Sequence, residues 1–227
     1  MRAFLRATWT VAAKDLRTEV RNREVLNAAG AFALVVLLLF SFAFDPIGDV
    51  DVRSLAGGLL WIVYLFAGTL VLNRSFARES ANDCLSALTA APVPGSAVFL
   101  GKTAANAVLI FALILISLPF FGIFYDIRWA SEIGRLLPVF ALGAWALAAV
   151  GVMFGAVTAR NRLRELMLPL LVYPLTLPAL LACVELTTLA LAGEPWGEAV
   201  AWLKLLFSFD VIFTLLGGAL LEPVLTA

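Results

Sequence analysis

Six long apolar stretches decide what this chain can be. They run roughly over residues 25–44, 54–73, 103–124, 136–158, 166–192 and 202–222. A helix crossing the hydrocarbon core of a bilayer needs about 20 such residues. The run from Ala31 to Phe44, AFALVVLLLFSFAF, has no charge at all. Composition closes off the soluble alternative: 63% of the residues are hydrophobic and 14% charged, against roughly 45–50% and 25% in soluble domains. A globule of 227 residues cannot hide so much apolar surface. The expected fold is an all-α integral membrane protein with six transmembrane helices. The first stretch reads as a retained span, because it is too long for a leader and FAF-Asp45-Pro46 lacks small residues for cleavage. The fifth is too long for one straight crossing and carries Pro169, Pro174 and Pro178, so a kink or an interfacial outer piece is expected.

Charge gives the orientation and removes several functions. Lys plus Arg is 16, Asp plus Glu is 16, and His is 0. A neutral total argues against a nucleic-acid partner. Arg2, Arg6, Lys14, Arg17, Arg21 and Arg23 precede the first span, Arg74, Arg78 and Lys102 lie in the second loop, and Arg160, Arg162 and Arg164 in the fourth. These twelve face Arg53, Arg128, Arg135 and Lys204 on the other side. The bias toward positive cytoplasmic loops places both termini on the cytoplasmic side of an inner membrane. The missing histidine removes the commonest transition-metal ligand, the usual axial haem ligand and the usual general base. No catalytic, cofactor-binding or metal site is expected. Cys84 and Cys183 fall on opposite sides, too far apart for a disulfide.

Two segments outside the spans carry patterns. In residues 1–24, Leu5, Trp9, Ala12, Leu16 and Val20 recur at helical steps beside a polar stripe of Arg6, Thr10, Lys14, Arg17 and Arg21. That suits an amphipathic helix at the cytoplasmic interface; the alternative is a plain basic flank. The loop 74–102 holds an apolar stripe of Ala77, Ala81, Cys84, Leu85 and Leu88, with Arg78, Glu79, Asn82, Asp83 and Ser86 facing away, until Pro92 and Pro94 end the helix. Docking on a soluble partner and packing on its own membrane domain fit this pattern equally. The spans end at about residue 222, leaving 223–227 as a short tail.

Isolated motifs are weaker. Gly101-Lys102-Thr103 ends like a phosphate-binding loop, but five residues, not four, separate Gly95 from Gly101 and no strand precedes it. Lys102 is expected as an anchor at the headgroup level. Glu185 and Asp210 lie in apolar stretches, where an ionisable group is a functional candidate. Counting along the helices puts both toward the outer side, as interfacial carboxylates, Asp210 paired to Lys204, or as groups for transport or gating. Trp61, Trp129, Trp196 and Trp202 are expected in aromatic belts at the membrane edges.

The cytoplasmic loop also supports a resemblance. Arg78-Glu79, Leu85, Leu88, Ala91-Pro92 and Gly101-Lys102 resemble the first cytoplasmic loop of type-2 ABC exporter permeases. GGLLWIVYLFAGTLVLNRSFARE, from Gly57 to Glu79, is similar to the CcmB family, the haem exporter B subunit of cytochrome c maturation. So is PLLVYPLTLPALLA, from Pro169 to Ala182, with its PLTLP core. Asp83-Cys84 departs from the glycine and small or hydroxyl residue usual in that family.

The resemblance implies a permease subunit in a bacterial inner membrane, with ATP bound by a separate CcmA-like ATPase. Arg78, Glu79, Leu85, Leu88 and Pro92 would form the coupling helix seated in that ATPase. Further implied partners are a CcmC-like protein that handles haem, a small CcmD-like protein, a CcmE-like haem chaperone and a second copy of the chain. The work implied is haem export or ATP-driven release of the loaded chaperone. Two rivals stay open: a type-2 ABC permease for a lipid, drug or glycan, and a membrane scaffold or secondary transporter outside the ABC class.

Overall fold

The computed structural model describes the backbone of residues 2–44, 52–81, 93–158 and 163–226. Among the described residues seven helices follow in chain order: α1 (Arg2–Asn22), α2 (Glu24–Phe44), α3 (Val52–Ala81), α4 (Gly95–Tyr125), α5 (Ile133–Thr158), α6 (Arg164–Leu191) and α7 (Trp196–Thr226). A short 3-10 turn, Ala130–Glu132, leads into α5. No strand occurs among the described residues. Helices α2 to α7 each contain a run long and apolar enough to span a membrane. Helix is the form that satisfies every backbone N–H and C=O within its own segment, which hydrocarbon requires.

The spans run alternately up and down. Gly95 at the start of α4 packs on Glu222 near the end of α7, and Arg74 of α3 pairs with Glu24 of α2 at 3.1 Å. These groups mark the end of the bundle that carries α1. At the opposite end Ser41 Oγ donates to the Phe124 carbonyl at 3.0 Å and Tyr125 Oη to the Leu37 carbonyl at 2.9 Å. There too Arg135 Nη2 donates to the Glu194 carbonyl at 2.7 Å. Helix α5 is the hub, touching α3, α4, α6 and α7. Its sequence explains this: Gly143, Ala144, Ala146, Ala148, Ala149, Gly151, Gly155 and Ala156 let neighbouring backbones approach closely. Helices α2 and α7 lie at the rim, and their exposed Leu38, Leu39, Phe42, Phe207, Ile212 and Leu215 form a surface suited to acyl chains.

Two non-glycine residues among those described are left-handed, and each sets a turn. Arg23, at φ 50°, ends α1, and Glu19 Oε1 accepts the Val25 N–H at 3.2 Å, capping the first turn of α2 across the break. Asp126, also at φ 50°, ends α4, with its own N–H and that of Ile127 donating to the Gly122 carbonyl. Aspartate tolerates this region better than most side chains.

Four boundaries differ from expectation. Helix α4 starts at Gly95 rather than near residue 103, and α3 continues to Ala81, so helix occupies both ends of the segment read as the loop 74–102. Charged residues at span ends do not stop a helix; they only end its apolar stretch. The tail expected at 223–227 is helical to Thr226, since Pro223 removes one backbone donor without ending α7. Helix α6 runs unbroken through Pro169, Pro174 and Pro178, so no separate outer piece forms. Its 28 residues reach about 42 Å at 1.5 Å per residue, longer than a hydrocarbon core of about 30 Å.

Candidate functional site

At the α1 end the N-terminal helix is docked on α4. Helix α1 has three faces. Phe4, Thr8, Val11, Ala12, Asp15 and Glu19 turn inward, partly or fully buried. Leu5, Trp9 and Val20 lie on the adjoining face and are 59%, 71% and 62% exposed. Arg6, Thr10, Lys14, Arg17 and Arg21 occupy the third face, all exposed. The stripe read from sequence therefore divides: Ala12 turns to protein while Leu5, Trp9 and Val20 stay free for another apolar phase.

The seat for α1 is Gly101-Lys102. A Cβ on Gly101 would fall 2.7 Å from the Thr8 carbonyl oxygen and from Val11 Cβ, so only glycine permits this approach. One residue on, Lys102 Nζ lies 3.2 Å from Asp15 Oδ2, with the lysine side chain 1% exposed. This corrects the reading of Lys102 as a headgroup anchor. Because α4 extends seven residues below Lys102, the lysine is covered by α1 and its stem is buried. The same helical geometry rules out a phosphate loop over Gly101–Thr103.

The residues read as the ATPase contact fall at the edge of the described structure. Arg78 and Glu79 sit on the last turns of α3. Leu85, Leu88 and Pro92 lie outside the described residues, as does Cys84.

Polar pairs cross the bundle interior. Trp61 Nε1 donates to Thr187 Oγ1 at 3.0 Å, and the indole meets Tyr64 and Phe140 edge-on or tilted. Trp61 is buried, not in a belt: its ring faces Gly143, whose hypothetical Cβ would lie inside the ring contact, with Cys183 Sγ 2.8 Å away. Trp129 and Trp202 are half-buried, so neither stands free at an edge; the Trp196 side chain lies outside the described residues. Ser117 Oγ donates to Tyr64 Oη at 3.1 Å, and Thr69 Oγ1 and Tyr173 Oη are 3.1 Å apart. Tyr173→Phe is expected to cost only about 0.6 kcal/mol of unfolding free energy in detergent, the average for hydrogen bonds between membrane helices. Thr69 keeps its bond to the Leu65 carbonyl at 2.6 Å.

The two intramembrane carboxylates separate. Glu185 is exposed, six residues from the end of α6. Asp210 is buried, and neither of its oxygens has a hydrogen-bond partner among the described residues. The expected pair with Lys204 does not form. Six residues at about 100° each set the two side chains about 120° apart on the helix, and Lys204 is exposed. Nor does Asp210 sit toward an interface: it is eleven residues from one end of its span and thirteen from the other.

These features define a polytopic helical membrane protein with a docked N-terminal helix and a buried polar interior. Residues 6–220 match the family model described as CcmB protein. The chain belongs to the CcmB family. It is 31% identical to heme exporter protein B of Rhodobacter capsulatus over 173 residues, 76% of this chain and 78% of that protein. Heme exporter protein B of Pseudomonas aeruginosa is 27% identical over 203 residues, 89% of this chain and 90% of the relative. The Bradyrhizobium diazoefficiens protein of the same name is 25% identical over 181 residues, 79% of this chain and 80% of the relative.

Proposed function

We propose that this chain is the membrane permease subunit of an ABC-type haem exporter acting in cytochrome c maturation, and not itself an enzyme. The supporting observation is the family match across residues 6–220, together with relatives each named heme exporter protein B. ATP would bind a separate CcmA-like subunit. Haem would be handled by a CcmC-like protein and a CcmE-like chaperone, with a small CcmD-like protein in the assembly; this chain has no histidine for axial ligation. The α1 end would face the cytoplasm of an inner membrane, because the basic residues gather there. Helix α1 would then lie in the interface, Leu5, Trp9 and Val20 toward acyl chains and the arginines toward headgroups.

Coupling follows from helix length. Helices α3 and α4 have 30 and 31 residues, about 45 Å each, and extend from the bundle to both flanks of the 82–94 segment. A push on that segment by a closing ATPase would reach the interior through two continuous helices, and α1, fixed to α4 at Lys102, would move with them. Leu85 and Leu88 would seat the segment in the ATPase, while Arg78 and Glu79 at the rim would tune association. Replacing Leu85 and Leu88 together with Asp is expected to abolish co-purification of the ATPase from mild detergent while membrane insertion persists. Undiminished co-purification would sink the coupling reading. Deleting the gene should stop haem attachment to c-type cytochromes; normal attachment would point to a permease for another cargo.

A further inference from the structure

Asp210 has a setting that no part of the proposed function uses. It lies on the inward stripe of α7 with Leu206, Phe209, Gly217 and Leu221, all buried. Its 5% exposure comes without any described donor for either oxygen. At 1.5 Å per residue it is about 16 Å from the Ala199 end of its span, the middle of a hydrocarbon core about 30 Å thick. A bare carboxylate is strongly disfavoured there, and such a group takes up a proton, a cation or a paired side chain.

The surroundings choose among these. Helix α7 packs on α4, α5 and α6. From α6 the titratable group within electrostatic reach is the buried Cys183 thiol. Glu185 on that helix is exposed. Helix α5 has no charged residue after Arg135, which is held at the far end by Glu132 and the Glu194 carbonyl. On α4 the charged residue is Lys102, which faces Asp15. On α7 itself Lys204 and Glu222 are exposed. One turn along α7, Thr214 Oγ1 is already engaged, accepting from Trp145 Nε1 at 2.9 Å. A metal cation would need several oxygen ligands, and no cluster of three ligating side chains occurs among the described residues.

We propose that Asp210 is a proton-binding site in the middle of the membrane domain. While α7 is packed on α5 and α6 its carboxyl is neutral: a hydronium ion gives up the proton, one O–H bond breaking on that ion as one forms on the carboxyl, and water is left. It returns the proton to water when α7 leaves that packing. The proposal does not depend on haem export or on an ATPase, and it is tested on the full chain alone.

The test is infrared difference spectroscopy of the full-length protein in lipid nanodiscs at neutral pH, wild type against Asp210→Asn. A protonated carboxylic acid carbonyl band, shifted in D2O, absent in Asp210→Asn and moved rather than lost in Asp210→Glu, is the expected result. Carboxylate bands alone at that position would overturn the proposal. Should Asp210→Asn fail to fold, the wild-type band in protein labelled at aspartate, with Asp210→Glu as its control, still decides. The second readout is thermal stability against pH. A native state holding one proton more than the unfolded chain loses stability as pH rises above the ordinary aspartate range. Wild type should show that loss as pH rises from the acid side through neutrality, and Asp210→Asn should lack it. Equal slopes in the two would overturn the proposal.

Discussion

Asp15→Ala is expected to lower the unfolding free energy by about 3 kcal/mol, while Lys102→Met changes it by less than about 1 kcal/mol. The asymmetry comes from burial. Lys102 is 1% exposed and Asp15 19% exposed, so removing the aspartate leaves an ammonium inside the protein without the carboxylate 3.2 Å away. Breaking a buried pair from one side costs about 3–5 kcal/mol, whereas replacing the buried charge with an apolar side chain of similar size is often neutral. Asp15 also keeps Lys14 at 3.2 Å after Lys102→Met. The figure for Asp15→Ala is set at the low end because the carboxylate touches water. Denaturant unfolding of both variants and the double mutant in one detergent checks this. A larger loss in Lys102→Met would show that the lysine serves contacts other than the clamp.

Gly143→Val should be a severe substitution in the interior, costing about 3 kcal/mol or more. Leaving glycine in a helix gains about 1 kcal/mol of propensity at best, and less for a β-branched residue. Against that, even the first carbon would overlap the Trp61 ring and press on Cys183 Sγ at 2.8 Å, and overpacking a filled core costs about 1–3 kcal/mol or more. Trp61 cannot simply swing away, because its Nε1 is bonded to Thr187 and its ring is held by Tyr64 and Phe140. Trp61→Phe removes the outer ring atoms that meet Gly143. The double variant should therefore be more stable than the sum of the single losses predicts. Strict additivity in thermal unfolding would refute the contact.

The spans were legible because hydropathy is summed residue by residue, with no knowledge of neighbours. The structure places six spans where the apolar stretches lie. Contacts between helices are pairwise, and there sequence reading faltered. The position of Trp61 near the start of a span suggests a belt; which side of α3 it occupies depends on α5 and α6. The dense glycine and alanine of α5 was a usable sign of a tightly packed central helix. Gly101-Lys102 stands out as a motif, but the partner of Lys102, Asp15, lies 87 residues away. Lys204 does not mark the interface, because α7 begins eight residues earlier at Trp196, and so Asp210 lies deeper than its spacing from Lys204 suggests. The stripe of Leu206, Phe209, Asp210, Gly217 and Leu221 could have shown it facing inward.

By itself the sequence determined the solvent of this protein, the number of its crossings, the end that gathers its positive charge and its resemblance to a family. Those follow from transfer free energies and charge counts that each residue carries wherever it sits. Only the tertiary structure decided that Lys102 is an interior clamp, that Trp61 fills the core against Gly143 and that Asp210 is enclosed with no hydrogen-bond partner among the described residues. The physical reason is that burial in a helical bundle belongs to a face, and which face is covered is fixed by helices far away in the chain.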